Sequence, residues 1–74
     1  MFAFRRSMVR RRVVVNLRTG KAMQGVLWAH RGPLLVLRDV TMLQAGMAPT
    51  VVDGEVVVER TVVEFVQVLS DGAA

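Results

Sequence analysis

The sequence predicts a mainly β protein, in which a short N-terminal helix leads into a strongly bent barrel of five strands. Three observations carry this. Sixteen of the 74 residues are valine, and they fall in short runs broken by Gly, Pro, Asn or Asp, the pattern of branched side chains on pleated strands. Residues 17–27 read Leu-Arg-Thr-Gly-Lys-Ala-Met-Gln-Gly-Val-Leu. One glycine there marks a tight turn, and a second lies inside the returning strand, where it weakens a flat sheet and serves a bent one. Finally, so short a chain buries a limited core, and it has no cysteine for a disulfide or a thiolate metal site. Its one histidine, His30, is too few for a structural zinc, so no metal or other cofactor is expected. With 53% hydrophobic residues, contact between subunits is the support that remains.

Each element has its own justification. Residues 1–12 form a basic arm whose stretch from Phe2 to Arg11 makes a short helix, with Phe4, Met8 and Arg11 stacked at a four-residue spacing. The barrel occupies residues 13–69. Its first strand, residues 13–18, turns Val13, Val15 and Leu17 to one face and Val14, Asn16 and Arg18 to the other. Thr19 and Gly20 make the turn. The second strand runs over 21–29, with Gly25 at a sharp bend or a close backbone approach. His30, Arg31, Gly32 and Pro33 form a turn. Residues 34–40 are the third strand, with Leu35 and Leu37 facing the core, and 44–50 a tolerant loop. The fourth strand spans 56–59 and the fifth 63–69. Asp53 and Gly54 either make a hairpin turn or place Gly54 at the bend where the fourth strand begins, and the second reading is preferred. Residues 70–74 are a flexible tail.

Over residues 11–69 the chain resembles the Sm-like superfamily of LSm and Hfq proteins. Leu17, Gly20, Gly25, Leu27, Leu35, Leu37 and Asp39 carry the first half of the likeness. Gly54, Glu55, Val56, Val57 and Val58, then Val63, Glu64, Phe65 and Val66, carry the second. Other five-stranded barrels of SH3-like or OB type share the same physics and glycine needs. The resemblance implies a ring of subunits, and in this family such rings usually bind RNA. Family RNA binding relies on an Asp and an Asn around the turn between strands two and three, and on an Arg-Gly after strand four. Here Leu34 stands in the Asn position, the preceding turn has no carboxylate, and Glu59-Arg60 replaces Arg-Gly. Such a pocket loses hydrogen bonds to base edges and repels phosphate, so the standard uridine site is expected to be missing.

The formal net charge of +4 belongs to the arm. Arg5, Arg6, Arg10, Arg11 and Arg12 lie within it, whereas residues 13–74 hold five basic and six acidic residues. A basic arm binds nucleic acid without reading its sequence, or serves as a solvated helix or a docking arm between subunits. Trp28, His30 and Arg31 offer an aromatic ring and a cation on which a base could stack. The plainer reading has Trp28 plug the barrel end or a subunit seam. Catalysis finds no support: His30 has no companion histidine, Ser7 and Ser70 lie in the terminal segments, and Glu55, Glu59 and Glu64 alternate with valines as on an exposed sheet face. No secretory signal or membrane-spanning run is read, which predicts a cytoplasmic protein, or a virion component if phage-encoded.

The expected function is therefore a non-enzymatic, Sm-like, ring-forming assembly or protein-interaction module, in a phage structural or accessory role by analogy alone. Its expected partners are further copies and another protein, joined through Val56, Val57, Val58, Val63, Phe65, Val66 and Val68 on strands whose edges are long, apolar and poorly guarded by charge. The alternative is an RNA-binding protein that uses the basic arm and the turn near His30.

Overall fold

The computed structural model describes residues 9–69. Its strands are β1 (Arg12–Leu17), β2 (Ala22–Arg31), β3 (Leu34–Leu43), β4 (Thr50–Val52), β5 (Val56–Glu59) and β6 (Val63–Val68), with one 3₁₀ turn (Arg60–Val62) before β6. All belong to one antiparallel sheet in the order β4-β3-β2-β1-β6, with β5 also paired to β3. The fold is thus mainly β, as expected. The helix proposed over residues 2–11 lies outside the described residues except for its last three. There it is corrected: Val9 and Arg10 form a turn, and Arg10 takes a left-handed φ of 71° that no α-helix continues through. The tail over 70–74 lies wholly outside the described residues.

The sheet has six strands where five were expected: the expected fourth strand, 56–59, is present as β5, and the additional one is the short β4, which begins at the end of the expected loop over 44–50. β4 pairs with the end of β3 (Val40↔Val52, Met42↔Thr50) and β5 with its start (Leu34↔Glu59, Leu37↔Val56). The two strands run on along one edge of β3 and do not pair with each other, so Asp53 and Gly54 are no hairpin turn. Gly54, at a φ of 79°, is the bend between them. The second strand also runs farther than expected, to Arg31, and Arg31 pairs with Leu34. Only Gly32 and Pro33 make the turn. Glycine at positive φ (55°) ahead of proline suits a two-residue hairpin turn of the II′ kind.

The bend of β3 explains Gly25. Gln24 pairs with Thr41 and Val26 with Arg38, so two residues, Asp39 and Val40, oppose Gly25 alone. This is a β-bulge on β3, with Asp39 left-handed at a φ of 54°. The bulge presses the β3 backbone onto β2. A Cβ at Gly25 would sit 2.8 Å from the Arg38 carbonyl oxygen and 3.3 Å from that of Asp39. Of the two roles expected for Gly25, the close approach is the one present. The bend belongs to Asp39, a residue type that tolerates left-handed backbone.

The core lies on one face of this bent sheet. Val13, Val15, Met23, Leu27, Leu35, Leu37, Val40, Val58 and Val63 are buried, with Leu17, Met42, Val52, Val56 and Val66 packed against them. Val13, Val15, Leu35 and Leu37 take the core face assigned by period-two alternation. Among the described residues no polar or charged side chain is buried. The core cluster itself is built of apolar side chains.

Candidate functional site

The path of strands leaves two edges unpaired among the described residues: the joined β4 and β5 at one end, and β6 at the other. An unpaired edge presents a row of backbone N–H and C=O groups to whatever strand approaches. Both edges are also apolar. Val51 is 76% exposed and Val57 58% on the first, Phe65 45% and Val68 39% on the second.

Of the seven residues expected to line the subunit contact, five lie at these edges with surface to offer: Val57, Phe65, Val68 and the partly buried Val56 and Val66. The other two are corrected. Val58 and Val63 are core residues of a single copy, at 6% and 1% exposure. The reason is the pleat. Val56 and Val58 face inward while Val57 faces outward, and on β6 an irregularity near Glu64 resets the alternation (Leu17↔Val63, then Asn16↔Phe65).

Trp28 is half-buried and lies outside the core cluster. The register between β2 and β3 shifts between Leu27 and Ala29, which makes Trp28 the extra, bulged residue and turns its ring out of the ladder. The Arg10 guanidinium carbon lies 3.7 Å from the ring centroid and that of Arg38 3.9 Å. Two guanidinium groups over one ring at these distances need its two faces. Arg38 is held in turn by Glu55, through Nε at 2.8 Å and Nη2 at 2.7 Å to one carboxylate oxygen. Arg10 is held from its backbone: its N–H donates to the Leu27 carbonyl, and the Leu27 N–H donates to the Arg11 carbonyl. Trp28 thus ties the start of the chain to the outer face. It offers no open face for a base beside His30 and Arg31.

His30 is half-buried opposite Leu35, and Arg31 is exposed at the end of β2. Arg11 is half-buried, Arg12 is exposed at the start of β1, and Arg5 and Arg6 lie outside the described residues. Leu34 and the Glu59-Arg60 pair do come together, since Leu34 is the register partner of Glu59 and the Arg60 N–H donates to the Pro33 carbonyl at 2.7 Å. An alkyl side chain and a carboxylate stand where the resemblance called for an amide and a guanidinium.

An open pocket of about 340 Å³ lies between Arg38 and Asp39 on one side and the bend over residues 51–55 on the other. Arg38 and Glu55 bridge it. Among the described residues no three His, Cys, Asp or Glu side chains gather as a metal site, and no helix is long and apolar enough to cross a membrane.

No protein-family model matches the sequence, and no curated protein matches it. Solved structures do match. One is a chain in the crystal structure of the NatC complex bound to CoA, at a TM-score of 0.74 and 23% identity, with 92% of this chain and 88% of that chain covered. At that identity the likeness is one of fold.

Proposed function

We propose that the protein is a non-enzymatic, Sm-like assembly module that joins copies of itself edge to edge into a closed ring and presents that ring to a protein partner. The observation that carries this is the pair of unpaired apolar edges at opposite ends of one sheet. A lone copy with such edges aggregates, whereas copies that pair β5 on β6 satisfy both edges at once. The contact is head-to-tail, so it closes into a ring when its rotation divides a full turn and otherwise runs on as a filament. Glu55, Glu59 and Glu64 guard the edges only with charge on the outer face. That a similar fold occurs in a chain of a multi-protein complex supports the protein-partner part of the reading.

Light scattering or native mass spectrometry of the wild-type protein tests the proposal. A discrete closed oligomer at micromolar concentration is expected, and a monomer there overturns it. Val57→Lys, at a position outside the core, is expected to shift the population to monomer while leaving the fold intact.

A further inference from the structure

Trp28 stands between two parts of the chain that no strand pairing joins, the turn at Arg10 and the bend ahead of β5. We infer that Arg10, Trp28, Arg38 and Glu55 act as one clasp, through which the seating of Arg10 on the ring holds β5 against β3.

The bend needs such a hold. β4 leaves β3 at Val52, paired with Val40, and β5 joins it at Val56, paired with Leu37. Residues 53–55 pass opposite the Asp39 bulge and form no ladder pair. Gly54, at a φ of 79°, has no side chain to anchor. Among the described residues the side-chain anchor of this bend is Glu55, which accepts from Arg38 Nε at 2.8 Å and Nη2 at 2.7 Å. β5 has four residues, and Val58 is the one that is buried. A segment with so few buried contacts is among those that open locally.

Arg38 anchors the bend only as well as its own guanidinium is held. An exposed ion pair gains little, because ordering two long side chains offsets the attraction. Here that loss is reduced, since the guanidinium carbon lies 3.9 Å from the Trp28 ring centroid and a stacked planar group is already oriented. The ring has no ladder partner of its own: Leu27 pairs with Leu37 and Ala29 with Val36, and Trp28 is passed over. What steadies its other face is Arg10, at 3.7 Å. Arg10 in turn is fixed by backbone, its N–H donating to the Leu27 carbonyl while the Leu27 N–H donates to the Arg11 carbonyl. Dependence therefore runs from the backbone at Arg10 to the ring, from the ring to Arg38, and from Arg38 through Glu55 to β5. The clasp is built within one copy. Where it rests on the assembly reading above, its consequence is regulatory: whatever draws Arg10 off the ring loosens an edge that pairs with the next copy.

Amide hydrogen exchange over residues 56–59 tests the clasp. It is read in a Phe65→Lys background, which charges the opposite edge, leaves β5 native and reports on a single copy. Arg10→Ala is expected to speed exchange there about two- to fivefold, the worth of one exposed cation–π contact, with Val15 in the middle of β1 unchanged. Glu55→Ala, at the other end of the clasp, is expected to do the same. The double variant is expected to exchange no faster than the faster single variant, since contacts acting as one unit are not additive. Exchange over β5 unmoved by Arg10→Ala overturns the inference. So does a double variant in which the two effects multiply, because Arg10 and Glu55 would then act separately. Trp28 emission is followed in the same samples, and a spectrum that Arg10→Ala leaves unchanged removes the first link and overturns the clasp as well. A monomeric wild type overturns the assembly reading and the regulatory consequence, while the exchange test of the clasp itself stands.

Discussion

Gly25 and Gly20 were read from the same eleven residues, yet their requirements differ in kind. Gly20 holds a φ of 94° with nothing within 4 Å of where a Cβ would stand. Its demand is conformational, and Gly20→Ala is expected to cost about 1 kcal/mol. Gly25 has no unusual φ but faces a backbone oxygen at 2.8 Å, which cannot rotate away as a flexible side chain would. Gly25→Val is expected to cost roughly 2 kcal/mol or more by overpacking, and even Gly25→Ala must push β3 off β2. Urea unfolding of the three variants, read by midpoint at a common slope, checks the order. Equal small losses would contradict the close approach. The strand-interior glycine was legible in the sequence because a glycine there always needs a reason. Its counterpart was not: Asp39 sits among Leu, Arg and Val with no breaker beside it. A left-handed Asp is dictated by the bulge rather than by local preference.

At the level of the elements, alternation placed the buried faces of β1 and β3 correctly because one face of each is fully covered. It failed where a ladder slips. Residues 28 and 64 are bulged, and no simple period marks a bulge, so the intramolecular neighbours of Trp28 could not be read from alternation. Its actual partners, Arg10 and Arg38, come from an arm and from a different strand. They meet only because Arg10 is left-handed and Trp28 is turned out of register. The stack yields a measurement. Trp28 is the single tryptophan, so its fluorescence reports this site alone. Arg10→Ala is expected to wet one ring face, shift emission to the red and cost about 0.5–1 kcal/mol. Glu55→Ala leaves Arg38 stacked but untethered. With both partners of that bridge near half exposure (44% and 47%), it is expected to cost no more than about 1 kcal/mol. An emission spectrum unchanged by Arg10→Ala would show that the arm does not rest on the ring in solution.

For the whole molecule, the separation of charge from structure decides what nucleic-acid binding would look like. The sheet carries a near-balanced set of charges, its inner face is apolar, and the place where Leu34 meets Glu59 offers an alkyl group and an anion to any base. Trp28 is covered on both faces by arginine. Affinity for RNA or DNA would then come from the arginines of the arm, Arg5, Arg6, Arg10, Arg11 and Arg12, which contact phosphate and carry no sequence information. Binding of oligo-U, oligo-A and mixed DNA is expected to be equal within error and to fall steeply with salt, since each neutralised phosphate releases counterions. Deleting residues 1–8 is expected to remove part of it, by taking away Arg5 and Arg6, while leaving the Arg10 stack and the sheet in place. Leu34→Asn is expected to create no uridine preference, because the amide it supplies would still face the Glu59 carboxylate. Titrations at two salt concentrations check all of this. A tight oligo-U preference that survives the deletion would mean that a base-reading pocket exists on the sheet, and it would have to displace Arg10 from Trp28 or build on His30 and Arg31 to do so. The tryptophan emission, followed in the same titration, tells those two routes apart.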